Sequence, residues 1–184
     1  MRCILIRHGQ TQGNLERRYV GGCTDEPLCE QGAALLRGRS YPRVGRVYAS
    51  PMLRCLQTAA ILYPGITPET VEDFRECNFG LFEGKNFAEL QGLPDYQAWL
   101  DSRGTLPFPE GESREAFAAR CVRGYERLIR QRTDEDIAII AHGGTIMSIM
   151  EKYACPSGDY FDFQVENGEG FILHADGRYR RLPL

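Results

Sequence analysis

Two short apolar runs, Cys3 to Ile6 and Ile137 to Ala141, show no polar alternation, and each leads into a histidine followed by glycine, His8-Gly9 and His142-Gly143. Uninterrupted apolar character over so few residues suits strands covered on both faces, as in a parallel sheet with helices above and below. Val44 to Ala49 and Thr67 to Glu72 read as further strands. Between the strands the apolar period lengthens to that of a helix. Glu30 to Arg39 turns Ala33, Leu36 and Leu35 inward, and Met52, Leu56, Ala59 and Tyr63 share one face of a helix that Ser50 would cap and Pro51 would begin. Ser113 to Arg132 carries Phe117, Cys121, Tyr125, Leu128 and Ile129 as one stripe, with its arginines expected on a solvated face. Asn86 to Arg103 is weakly helical and divided by Pro94, whereas Ile146, Ile149, Met150 and Tyr153 recur at clear helical spacing after Gly143. Phe161, Phe163 and Val165 alternate with polar residues, and Asn167-Gly168 and Asp176-Gly177 look like turns. The tail is therefore expected to form an antiparallel meander on one edge of the sheet.

Alternation of strand and helix over most of the chain predicts an α/β fold, a three-layer α/β/α sandwich around a mostly parallel central sheet. Ligands of such folds bind beyond the carboxyl ends of the strands. His8 and His142 follow strands directly, and Arg54 sits in the first turn of the helix after one, so all three can reach the same rim. His174, in the terminal meander, is expected to be an ordinary structural residue.

Composition narrows the partners. A chain of 184 residues, 42% of them hydrophobic, is expected to be a single domain, 1–184. The net charge of −3 and scattered Lys and Arg give no reason to expect nucleic acid, and the absence of any apolar stretch of about 18 residues argues against a membrane span. Seven cysteines without C-x-x-C spacing suit free thiols and a cytoplasmic setting, with Cys3, Cys55 and Cys121 acting as small buried hydrophobes. The oligomeric state is left open, with a homodimer among the options.

Two strand-end histidines and two arginines point to a phosphoryl group, whose oxygens need several donors at once in the transition state. Arg7 and Arg54 offer forked cationic donors, Asn14 a neutral one, and the helix beginning near Gly143 offers backbone amides. No H-E-x-x-H or comparable zinc spacing accompanies them. A neutral imidazole could attack phosphorus and form a phosphohistidine, with an acid protonating the departing alkoxide. Glu76 is a candidate acid, although sequence alone does not favour it over Glu83.

The motifs resemble those of the histidine phosphatase superfamily, the phosphoglycerate-mutase-like family. Arg7-His8-Gly9-Gln10-Thr11 with Asn14 is similar to its signature R-H-G-[EQ]-T-x-x-N, and Ser50 to Ala59 to its second arginine motif. Phe74 to Gly84 resembles the acid-bearing segment, Glu110-Gly111-Glu112-Ser113 the loop before the long helix, and Ala141-His142-Gly143-Gly144 the second histidine motif. The resemblance implies a phosphoglycerate-mutase-like fold. It also implies that His8 is the phosphorylated nucleophile, that Arg7, Arg54 and His142 form a charged pocket around the phosphoryl group, that Asn14 contacts phosphate, and that Glu76 is the proton donor. It implies neither a metal nor an organic cofactor.

Cys23, Cys29 and Phe82 stand where members of that family often carry Trp, Thr and Trp, on the substrate side. The run Arg18 to Glu30 looks more like the alpha-ribazole phosphatases of cobalamin biosynthesis and related small-molecule phosphatases than like the glycolytic mutases. The expected partner is thus a small-molecule phosphate ester, with alpha-ribazole 5′-phosphate a candidate. A mutase-type phosphotransferase and a non-catalytic module binding phosphorylated ligands are the alternatives. A loop containing Trp99 is expected to cover the pocket.

Overall fold

The computed structural model of the chain describes residues 1–131 and 135–183. Its strands are β1 (Arg2–Arg7), β2 (Arg46–Ala49), β3 (Glu69–Thr70), β4 (Ile137–Ala141), β5 (Gly170–His174) and β6 (Tyr179–Arg181), forming one sheet in the order β3-β2-β4-β1-β5-β6. The pairs β2–β3, β2–β4 and β1–β4 are parallel, whereas β5 runs antiparallel to β1 and β6 antiparallel to β5. The helices are α1 (Gln12–Leu15), α2 (Glu30–Arg37), α3 (Leu53–Leu62), α4 (Phe87–Leu90), α5 (Pro94–Asp101), α6 (Arg114–Ile129) and α7 (Gly143–Tyr153).

The two unalternating runs occupy the middle of the sheet, where a strand is covered on both sides and every residue needs to be apolar. On one face Cys3, Leu5, Ile137 and Ile139 pack against Tyr125 and Leu128 of α6 and Ile146, Ile149 and Met150 of α7. On the other Ile4, Ile6, Ala138 and Ile140 meet Cys55 and Ala59 of α3. These three layers are the expected sandwich.

Several local expectations change. Residues 161–165 do not form a strand, because Tyr160–Phe163 closes into a 3-10 turn that buries Tyr160 and Phe163, leaving the meander to β5 and β6. The strand expected at Thr67 to Glu72 shrinks to the two-residue edge strand β3. Leu35 points outward, 44% exposed, while Gly32 and Leu36 are the buried residues of α2. Ser50 and Pro51 lie before α3, whose cap is Met52, so the serine hydroxyl is released for another use described below. Ser113 does cap α6, accepting from the Ala116 amide, and Arg132 lies outside the described residues. His174 pairs with Arg2, at the opposite end of the sheet from His8.

The join between the parallel strands and the meander is tight. A Cβ on Gly170 would overlap the Leu5 carbonyl oxygen, a backbone atom that cannot move without parting β5 from β1. Gly170→Ala is expected to destabilise the fold by at least about 2 kcal/mol. Gly38→Ala, where the nearest atom would be 3.6 Å away and φ is −81°, should leave the thermal midpoint nearly unchanged. Paired thermal melts of the two variants check this.

Candidate active site

The sheet order brings three strand ends together. Arg7 lies opposite Ala141 in the β1–β4 register and Ala49 opposite Ile140 in the β2–β4 register, so the residues that follow, His8, His142 and Ser50, emerge side by side on one rim. The amide of His8 donates to the Ala141 carbonyl, and that of Ser50 to the Ile140 carbonyl, at 2.9 Å each. The two imidazoles meet edge to face with ring centroids 5.2 Å apart. The Ser50 hydroxyl lies 2.8 Å from His142 Nε2 and so orients that ring instead of capping a helix.

His8 is fixed in one tautomer by geometry. Its Nδ1 lies 2.7 Å from the Gly9 carbonyl oxygen, which can only accept, so the ring proton belongs on Nδ1 and Nε2 keeps its lone pair. The Gly9 amide donates to Thr58 Oγ1, and that hydroxyl donates to the Arg54 carbonyl, tying the His8 turn to α3. Asn167, expected only as a turn residue, donates its amide to the His8 carbonyl at 3.0 Å and to Asn14 Oδ1 at 3.1 Å. The Asn14 oxygen also accepts from the Thr11 amide, so its NH2 is the end left for a ligand. Burial, then the Arg54 and Arg7 charges, push the His8 pKa well below the ordinary imidazole value, and burial and Arg54 do the same to His142. Both shifts favour the neutral imidazole.

Arg7 and Arg54 are aimed by backbone carbonyls. Arg7 donates one Nη to Val165 O at 2.8 Å, and Arg54 donates to Thr24 O at 2.8 Å, Gly21 O at 3.2 Å and Val20 O at 3.4 Å. The Nε of each is buried without a hydrogen-bond partner among the described residues, an arrangement that an anion's oxygens would complete. Gly143 opens α7 with His142 as its N-cap, and a Cβ there would stand 3.7 Å from Arg7 Nε.

The structure separates the two candidate acids. Glu83 is committed to the backbone, accepting from the amides of Gly21, Cys23 and Phe79. Glu76 instead has one oxygen on the Cys77 amide at 2.8 Å and the other 3.7 Å from His142 Nδ1. Burial raises its pKa above the ordinary carboxylic value against the opposing pull of the Cys77 amide, Arg54, Arg7 and Arg120.

Arg7, His8, Asn14 and Glu76 line a cavity of about 500 Å³ whose walls include Tyr19, Phe79, Trp99, Phe108, Phe117 and Tyr160. Trp99 lines this cavity from helix α5, in place of the expected loop. Arg54 and His142 are wholly buried and lie behind this floor, not on it, and Gly144 reaches the lining in place of Gly143. Among the described residues no three His, Cys, Asp or Glu side chains converge as a metal-binding group.

Sequence reasoning missed Ser50, Thr58, Asn167 and Arg120. The last, assigned to a solvated face, lies between Phe117 and Cys121 on the buried stripe, and only 17% of its side-chain surface is exposed. Its spacing of three from Phe117 was the available signal.

Comparison with known proteins agrees with this geometry. The chain is 32% identical over 157 residues to a Hydrogenobacter thermophilus protein provisionally assigned as phosphoserine phosphatase 2, covering 81% of this chain and 76% of that one. It is 28% identical over 181 residues to the adenosylcobalamin/alpha-ribazole phosphatase of Salmonella typhimurium, covering 91% and 87% of the two chains. A crystal structure of phosphoglycerate mutase from Thermus thermophilus superposes with a TM-score of 0.77 at 28% identity, covering 100% of this chain and 99% of the other. Residues 3–183 match the Histidine phosphatase superfamily (branch 1), and with its paired rim histidines in place the chain belongs to that family.

Proposed function

We propose that the chain is a metal-independent phosphatase that hydrolyses a small-molecule phosphate monoester through a phosphohistidine on His8. The observation that carries this reading is the state of His8, a neutral imidazole with its proton directed to the Gly9 carbonyl and its Nε2 lone pair free, at the floor of a cavity it shares with Glu76. In the first step Nε2 bonds to phosphorus as the ester P–O bond breaks, and the departing alkoxide takes the Glu76 proton. In the second, the Glu76 carboxylate takes a proton from water, the water oxygen bonds to phosphorus, and the P–N bond breaks to release phosphate and neutral His8. Arg7 and Arg54, the Asn14 amide and the backbone amides at Gly143 take up charge on the phosphoryl oxygens, and His142, held by Ser50, supports the same group from beside His8. Glu76 is what a binding module would not need.

The cavity walls support a substrate with an aromatic or otherwise apolar leaving group. Seven aromatic side chains face it, so a planar ring system would bury extensive apolar surface there. Alpha-ribazole 5′-phosphate, which carries an aromatic base, fits this description, in keeping with relatives named for that activity. The free thiols favour a reducing, cytoplasmic setting.

Three outcomes test this reading. His8→Ala should lower kcat/KM on phosphate monoesters by at least about 10³-fold. Acid-labile, alkali-stable phosphate should be trapped on the unsubstituted protein during turnover. Phosphate release from both proteins at the same rate would reject the nucleophile, and transfer between the hydroxyls of phosphoglycerate faster than release to water would favour a mutase. In kcat/KM, which covers only the steps through P–O cleavage and not the later attack of water that also uses Glu76, Glu76→Gln should cost about 10²-fold or more on benzyl phosphate but little on p-nitrophenyl phosphate, whose leaving group needs no proton. Because the Glu76 pKa is raised, the protonated acid persists to higher pH and is lost as pH climbs through that value. The pH profile for benzyl phosphate should show this falling limb, and the Gln variant should lack it. Trp99→Ala should raise KM for an aromatic nucleoside 5′-phosphate more than for ribose 5-phosphate, which has the same primary alcohol leaving group. Steady-state kinetics on the matched pair reads the difference.

A further inference from the structure

The segment that carries Glu76 has little regular structure of its own. Residues 75–79 belong to no helix or strand, lying between the 3-10 turns Glu72–Phe74 and Gly80–Phe82. An acid must nevertheless be held to within a fraction of an ångström of the bond it protonates, and displacements of about 1 Å can reduce turnover about 10²-fold. What holds this one is a side chain from another element.

Arg120, midway along α6, directs its guanidinium at the acid segment. Nε and Nη2 grip both oxygens of Glu112 at 2.7 and 2.8 Å. Nη1 donates to the carbonyls of Asp73 at 2.9 Å and Arg75 at 2.5 Å, and Nη2 also donates to the carbonyl of Glu76 itself at 3.0 Å. The flat cation lies over the Phe117 ring, 4.7 Å from its centroid. Glu112 completes the bracket from the other side, its amide donating to Asn78 O at 2.9 Å and its carboxylate accepting from Asn78 N at 3.4 Å. One ion pair thus holds the backbone immediately before Glu76, at Glu76 and two residues after it.

We propose that Arg120, locked by Glu112, is a positioning residue that sets the reach of the Glu76 carboxyl toward the leaving-group oxygen. This rests on the reading of Glu76 as the general acid. The fork geometry is essential, because three carbonyls and a two-oxygen carboxylate are engaged together, which the single ammonium of lysine cannot reproduce. Packing of α6 does not require the clamp, since Phe117, Cys121, Tyr125 and Leu128 already bury its inner face.

The test uses Arg120→Lys and Glu112→Gln on the full chain, with Glu76→Gln alongside, assayed on benzyl phosphate and p-nitrophenyl phosphate. Both clamp variants are expected to lose at least about 10-fold in kcat/KM on benzyl phosphate while staying within about threefold in kcat/KM on p-nitrophenyl phosphate, a ratio that excludes the later water-attack step. Loss of equal size on the two esters would show a merely structural role and overturn the proposal, as would no loss on either. If Glu76→Gln is selective for the poor leaving group and the clamp variants are not, the clamp fails while the acid reading stands. If Glu76→Gln is not selective, the acid reading fails and the clamp falls with it. Glu112→Gln, which keeps shape and half the hydrogen-bonding capacity, decides the matter should Arg120→Lys not fold.

Discussion

The parallel pairing of β1 with β4 is the constraint on which the rest of the molecule depends. With Arg7 opposite Ala141, the next residue of each strand is a histidine, and the two rings touch. Both strands are buried on both faces, so their register is held by the fit of Leu5 and Ile139 to one helical layer and of Ile4, Ile6 and Ile140 to the other. A slip of one residue would exchange those faces and carry His8 away from His142. Addition of β2 on the far side of β4 brings Ser50 to the same rim and starts α3 where Arg54 can turn in behind the histidines.

Gathering buried guanidinium groups beside two imidazoles is electrostatically unfavourable, and the fold answers with backbone carbonyls. Val165 takes Arg7, and the loop from Val20 to Thr24 takes Arg54. These contacts use the Nη atoms and leave Nε of each arginine unpartnered, so the hydrogen bonding is complete on the structural side and incomplete on the side of the site. The same positive field and the same burial hold His8 neutral, which is the form able to attack, and burial keeps a proton on Glu76 to higher pH. One environment thus favours the neutral form of two residue types of opposite charge habit, the imidazole of His8 and the carboxyl of Glu76.

Above the rim, the stretch between β3 and α6 builds the wall. Phe79, Phe82, Tyr96, Trp99 and Phe108 pack with Tyr19 into an aromatic cluster separate from the two main cores. Glu83 and the Arg120–Glu112 pair fix this stretch to the loop after α1 and to α6 through backbone contacts, giving an irregular segment anchors that a helix or strand would supply internally.

Much of this was legible in the chain. Unalternating apolar runs identified β1 and β4 because strands buried on both faces leave no position for polar residues, and the 3.6-residue stripes of α6 and α7 announced the layers that bury them. The pattern pointed to His8, Arg7, Arg54, His142 and Gly143, since residues next to strand ends and helix starts are delivered to the rim by the backbone itself, and to Asn14 as a neutral donor, whereas Glu76 was one of two candidate acids on residue type alone. Failures came where local pattern was overridden by distant packing. Phe161, Phe163 and Val165 alternate with polar residues like a strand, yet Tyr160–Phe163 closes as a turn, and Ser50 reads as a cap yet serves His142. Sequence by itself determined which residue types end each strand and which faces are apolar, because these are local properties of the polypeptide. Strand order, the tautomer of His8, the choice of Glu76 over Glu83, the withdrawal of Arg54 and His142 behind the floor, and the clamp from Arg120 were decided only by tertiary structure, because each depends on carbonyls and charges contributed by segments far apart in the chain.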